Sequence, residues 1–394
     1  MVQAMAAPSF FWHRTVGFVQ RVGSDCAGPP RLYLIACYQR HRPRSIRTGG
    51  HVRMKSTKIL GAAGLAILLS STAAFAAGEA GPLHLRGLGN FYVGAVVSEP
   101  DAEGNVSVTN QMYVGYALPA EAKHDIPLIL VHGGGGQASD WFSTPDGRDG
   151  WRNYFVNAGF DTYWVDRPGY GRSPTSASYG DGQIASANSG IIARLSASDN
   201  FPGGEVTPTS EGVIGWLKGS SSTPYAGNEI AAKDLSELLD KVGPAILVLH
   251  SAGGGSGFWA ADLNPEKVAG IIAIEASGSD GLSQAQSLTF DPPLTADFVP
   301  VEGADGCKLQ PEGAVSTLTN LAGIPVTLVS TPNSFLGAPQ VCALASLQQA
   351  GVTAELVKME DVGAPGTGHF LMAETNNADS AKAIIDIAEG MLAE

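Results

Sequence analysis

From residue 83 the chain alternates apolar and polar side chains in short runs, broken by a polar turn at Asp101 to Asn105. A period of two predicts an antiparallel hairpin, Asn90 to Val97 with Val106 to Ala117. The rhythm then changes to compact β-branched or apolar runs at Ile126 to His132, Phe160 to Val165, Ala245 to His250, Val268 to Ile274, Ile324 to Ser330 and Ala354 to Lys358. Helical patterns separate them. Leu235, Leu238, Leu239 and Val242 recur on one helix face, and Gly243-Pro244 stops that helix. Ala381, Ile384, Ile385, Ala388 and Met391 mark the buried side of a last helix over Asp379 to Leu392. Strands apolar on both faces, alternating with such helices, predict an α/β domain with a mostly parallel central sheet flanked by helices. The Ser-, Gly- and Thr-rich stretch 174–227 breaks the rhythm inside one domain, and a run that long predicts an insertion capping the carboxyl edge of the sheet.

The N-terminal part reads differently. Residues 54–76 open with Met54, carry Lys55 and Lys58, run apolar from Ile59 to Leu69 and end in Ala74-Phe75-Ala76. That order is a secretory signal peptide with cleavage expected before Ala77, and its apolar run falls short of the ~20 residues a membrane-spanning helix needs. A signal peptide acts from the N-terminus, so residues 1–53, with eight arginines, one acid and no lysine, read as an upstream extension from a start assigned too early. An Arg-rich presequence is the alternative. The domain is then 77–394, and the location secreted or periplasmic.

Composition sharpens this. With 44% apolar and 15% charged residues the chain has ample material for a large core. Without residues 1–76, 14 Lys and Arg face 36 Asp and Glu, a net charge of −22. Such a surface repels phosphate backbones and anionic lipids, so neither nucleic acid nor a membrane is an expected partner after cleavage. Of the four cysteines Cys307 and Cys342 remain, and in an oxidising compartment they predict one disulfide, with two buried thiols as the alternative. No Cys/His cluster has metal-ligand spacing.

The candidate chemistry lies at strand ends. The run Ala245 to His250 leads into Ser251-Ala252-Gly253-Gly254-Gly255 and a helix, the strand–turn–helix setting that exposes a nucleophilic serine. Such elbows carry Gly two residues before the serine. Leu249 stands there, and the glycines at 253 to 255 are expected to relieve the crowding. The run Ile126 to His132 ends in Gly133 to Gly136, where bare backbone N–H groups suit an oxyanion; Gly134, Gly135 and the N–H of Ala252 are the expected oxyanion hole. That loop lacks the Lys-Ser/Thr of a phosphate-binding loop. His369, in Gly366-Thr367-Gly368-His369-Phe370 before the last helix, is the expected base, because His84, His124, His132 and His250 precede the serine. The loop after Ile324 to Ser330 offers no carboxylate, whereas Val268 to Ile274 ends in Glu275; Glu275 is the expected acid, with Asp280 in reserve. Trp141, Trp216, Phe258 and Trp259 read equally as an apolar pocket wall or as core.

In this order the HGGGG loop, the turn Asp166-Arg167-Pro168-Gly169-Tyr170-Gly171-Arg172-Ser173, the serine elbow and the late histidine resemble the α/β-hydrolase superfamily over nearly all of 77–394. More narrowly the chain is similar to secreted bacterial esterases whose acid is a glutamate after the sixth strand. That resemblance implies hydrolysis of small or polymeric carboxylic esters without a cofactor, a small cap shaping the pocket, and a homodimer as one assembly state. Lactone opening, polyester depolymerisation and a catalytically silent binding protein are the competing expectations on the same fold.

Overall fold

The protein is described here as a computed structural model, covering residues 79–182, 184–221, 224–278, 287–295 and 297–393. The expected leader segments 1–53 and 54–76, with Cys26 and Cys37, and the reserve acid Asp280 lie outside the described residues.

Eight strands form one sheet: β1 (Leu85–Val93), β2 (Met112–Pro119), β3 (Leu128–Val131), β4 (Thr162–Asp166), β5 (Ala245–His250), β6 (Val268–Ile274), β7 (Val326–Ser330) and β8 (Ala354–Lys358). Their order across the sheet is β1-β2-β4-β3-β5-β6-β7-β8. β2 runs antiparallel to both β1 and β4; every pairing from β4 to β8 is parallel. All six compact apolar runs of the sequence are strands of this parallel part. The hairpin forms as well, but from Leu85, and its ladder breaks before the tip, where Val96–Val97 pairs separately with Val108–Thr109. Gly94 makes that break. Its φ of +73° suits glycine, and a Cβ there would stand 1.7 Å from the Asp234 carboxylate.

Side-chain alternation builds two cores, one on each face. Ile129 and Val131 of β3, Leu247 and Leu249 of β5, and Ile271 and Ala273 of β6 pack on one side. There they meet helices α4 (Asn228–Val242), α5 (Gly254–Leu263) and α6 (Gly337–Gln349). Leu128, Leu130, Ile246, Val248, Ile272 and Ile274 face the other way, onto α1 (Trp151–Ala158) and α7 (Asn377–Ala393). Trp141 and Phe258 are core, and Trp259 packs at its margin.

The insertion between β4 and α4 is more ordered than its composition suggested. It carries two nine-residue helices, α2 (Ser189–Ala197) and α3 (Glu211–Gly219), around a small core of Leu195, Phe201 and Val213. Cys307 and Cys342 form a disulfide that ties the chain between β6 and β7 to α6. Among the described residues no helix is long and apolar enough to cross a membrane.

Candidate active site

The carboxyl ends of β3, β5, β6 and β8 bring the expected residues to one edge of the sheet, where the strand order reverses direction and an α/β fold leaves a crevice. β5 ends at His250, and Ser251 follows with φ +50°, a left-handed conformation that a side chain adopts only when its surroundings enforce it. A 3₁₀ turn over Ser251–Gly253 then starts α5. Added Cβ atoms show why small residues follow. At Gly253 one would lie 2.6 Å from the His132 carbonyl, at Gly254 2.2 Å from that of Ser277, and at Gly257 2.3 Å from the Leu249 side chain. Room for Leu249 therefore comes from Gly257, a turn into the helix, outside the glycines at 253 to 255 that the sequence pointed to.

The imidazole of His369 lies between two partners. Its Nε2 is 3.0 Å from Ser251 Oγ and its Nδ1 is 2.7 Å from Glu275 Oε2. With a carboxylate accepting at Nδ1, that nitrogen holds the proton and Nε2 faces the serine as an acceptor. Glu275 directly follows β6 at φ +43° and is buried. Its other hydrogen bonds come from the loop after β7. Thr331 donates to Oε1 through its N–H at 3.0 Å and its hydroxyl at 2.7 Å, and Ser334 donates to Oε2 at 2.7 Å. The loop that lacks a carboxylate supplies donors to one from the neighbouring strand.

The rival histidines occupy other positions. Buried His250 donates from Nε2 to the His369 carbonyl at 2.9 Å; burial, with His369 nearby, pushes its pKa down to about 3, so it stays neutral. His132 is held well below the usual imidazole range by burial and by Arg167, accepting the Arg167 N–H at Nε2 and donating from Nδ1 to Gly133. His124 stacks on Phe160 at 3.8 Å.

Gly133 passes close against the elbow, since a Cβ there would lie 3.0 Å from that of Ser251, and one on Gly134 would lie 3.3 Å from that of Ala252. This puts the expected oxyanion residues Gly134 and Ala252 side by side, with Gly135 next in the loop at φ +70°. Buried Arg167 binds the two pieces together, donating to the Gly133 carbonyl at 2.8 Å and to that of Ala252 at 3.2 Å. Two charge-assisted bonds from one planar group fix the spacing of loop and elbow. Asp166 braces the same turn, accepting from Ala138 N at 2.7 Å and from Arg172 N and Nε at 2.8 and 2.9 Å. Sequence reasoning singled out this turn as a motif but gave Arg167 no task, because its partners are backbone carbonyls of distant segments.

Glu374 is a second residue that sequence reasoning missed. It is 1% exposed and accepts the Gly368 N–H at 2.8 Å, beside His369. Burial, reinforced by Glu275 and Asp199, raises its carboxyl to about 7. The insertion holds the same histidine loop: Asp199 N donates to Gly366 O at 3.0 Å and Asn200 Nδ2 to Pro365 O at 2.9 Å.

Strand order, helices on both faces and a strained serine at the fifth strand define an α/β-hydrolase fold. A family model described as alpha/beta hydrolase fold matches residues 126–300, and the fold of the chain is that of the α/β hydrolases. The chain is 29% identical over 309 residues, 70% of its length and 84% of the relative's, to the probable secreted lipase phiG of Fungal sp. (strain ATCC 74256). A solved structure of a novel bacterial esterase aligns with 78% of this chain and 97% of its own, with 25% identity and a TM-score of 0.59.

Proposed function

We propose that the protein is a secreted serine hydrolase that cleaves carboxylic esters through an acyl-enzyme. The observation that carries this is the unbroken chain Ser251 Oγ, His369 and Glu275 at 3.0 and 2.7 Å, hung on a serine with positive φ. His369 takes the hydroxyl proton as Ser251 attacks the carbonyl, and returns it to the departing alkoxide; a water then attacks the acyl-serine with His369 as base again. Glu275 holds the imidazole in the required tautomer and stabilises its charged form. The N–H groups of Gly134, Gly135 and Ala252 receive the oxyanion, a contribution of about 10²- to 10³-fold in rate for each donor in comparable sites. None of these steps needs a cofactor. The leader at 54–76 and the relative named as a secreted lipase support export, and the relative named as an esterase supports the bond type. Segment 174–227 serves as the cap over the site.

The test is turnover of a short aryl ester by three variants. Ser251→Ala is expected to lose roughly 10⁶-fold in kcat with folding intact, and Glu275→Gln about 10⁴-fold. An Asp280→Asn variant damaged more than Glu275→Gln would overturn the assignment of the acid.

A further inference from the structure

A cavity of about 460 Å³ opens beside Gly134 and Gly135, within the size range of small-molecule sites. The insertion supplies most of its far wall. Near the glycines stands Tyr170, only 8% exposed. Its ring is fixed on three sides: edge-on to His132 at 5.0 Å, against Tyr225 at 5.3 Å, and under the Arg167 guanidinium at 5.0 Å. Among the described residues nothing hydrogen-bonds its hydroxyl, although the residue lines the cavity. A phenol so nearly enclosed ordinarily has a partner for its O–H. Elsewhere on the wall Tyr179 spends its proton on Asn110 Oδ1 at 2.7 Å, which leaves its oxygen able to accept. Asp181 is also part of the cavity wall and makes no ion pair among the described residues.

An alkyl chain filling this space would touch Ile184, Ile191, Trp216 and Leu217 of the same wall, but it would strip water from a donor and from acceptors without replacing their hydrogen bonds, a loss of roughly tenfold to a hundredfold in binding for each stranded group. A group carrying several hydroxyls satisfies them, accepting from Tyr170 and donating to Tyr179 and Asp181. Resting on the esterase reading above, we propose that this cavity seats a hydroxyl-bearing portion of the substrate, the size of glycerol or a monosaccharide, so that short-chain polyol esters are the preferred substrate class. Tyr170 is then a specificity-determining residue and takes no part in the chemistry at Ser251.

The experiment compares kcat/KM for glyceryl monoacetate, propyl acetate and a long-chain alkyl ester, with 4-nitrophenyl acetate as the common reference, in wild type, Tyr170→Phe and Asp181→Ala. Phenylalanine keeps the ring packing, and Asp181 is on the surface, so both variants are expected to fold. Wild type is expected to favour the glyceryl ester over propyl acetate by at least about tenfold, and each variant to lose most of that preference with 4-nitrophenyl acetate turnover unchanged. Turnover of 4-nitrophenyl acetate without a glyceryl preference, a preference for the long chain, or equal losses on all esters would overturn the cavity assignment alone. A wild type inactive on 4-nitrophenyl acetate would overturn the esterase reading and the proposal with it.

Discussion

Ser251 and Glu275 are two of the three non-glycine residues with positive φ among the described residues, and both end a parallel strand at the candidate site. Such backbone persists only where packing over-determines it. Here the tight approach of Gly253 to His132 and of Gly254 to Ser277 supplies that packing. Ser251→Gly is therefore expected to raise stability by about 1 kcal/mol while abolishing turnover, because glycine adopts this conformation without a Cβ penalty. Chemical denaturation checks it, and a destabilised Ser251→Gly would mean that the serine is not strained. At this scale the sequence pointed to Ser251, His369 and Glu275, whose chemistry and chain order are local to a motif, and the structure brings the three side chains within hydrogen-bond distance. It hid Arg167, Glu374 and Tyr170. Their significance lies in partners far along the chain, such as Ala252 for Arg167 and Gly368 for Glu374.

Strand β5 and helix α5 meet at Leu249 and Gly257, where a Cβ on the glycine would lie 2.3 Å from the leucine side chain. Gly257→Ala is expected to destabilise the protein by about 1–3 kcal/mol through overpacking. Leu249→Ala in the same chain is expected to recover part of that loss, a coupling that a double-mutant cycle measures directly. Additive effects would show that the two residues do not share this space. The parallel strands were legible because a run apolar on both faces has few alternatives in a chain of this composition. Helices α2 and α3 were not. Each is nine residues long, α2 rich in Ser, Gly and Ala and α3 interrupted by three glycines, with their apolar side chains spent on a core of three buried residues and on contacts to Phe370. Tertiary packing, more than helix propensity, holds them.

Across the described part of the molecule, three carboxyls raised by burial bias stability toward acid. Burial raises Asp140 and Glu374 to about 7 and Asp234 to about 8. A carboxyl raised in the fold keeps its proton after the unfolded chain has released it. Its contribution is complete below about pH 4 and is lost as pH climbs through 7 to 8. His250 and His132 act in the opposite sense, neutral in the fold and charged in the unfolded chain below about pH 6.5, so their contribution is lost as pH falls. Three groups outweigh two between pH 5 and 8, and the excess of acids over bases in residues 77–394 adds self-repulsion at the alkaline end. The Tm is expected to rise by roughly 5 °C from pH 8 to pH 5, and Asp234→Asn to flatten the curve. A Tm that peaks at pH 8 would contradict this ledger of buried charge.

The central claim is that Ser251 is an activated nucleophile. It is tested most directly by exposing the purified chain, residues 77–394, to a fluorophosphonate probe and mapping the labelled peptide by mass spectrometry. Stoichiometric labelling on Ser251, abolished in Ser251→Ala and slowed in Glu275→Gln, is the expected result. A folded protein that takes no label, or takes it on another residue, would contradict the account.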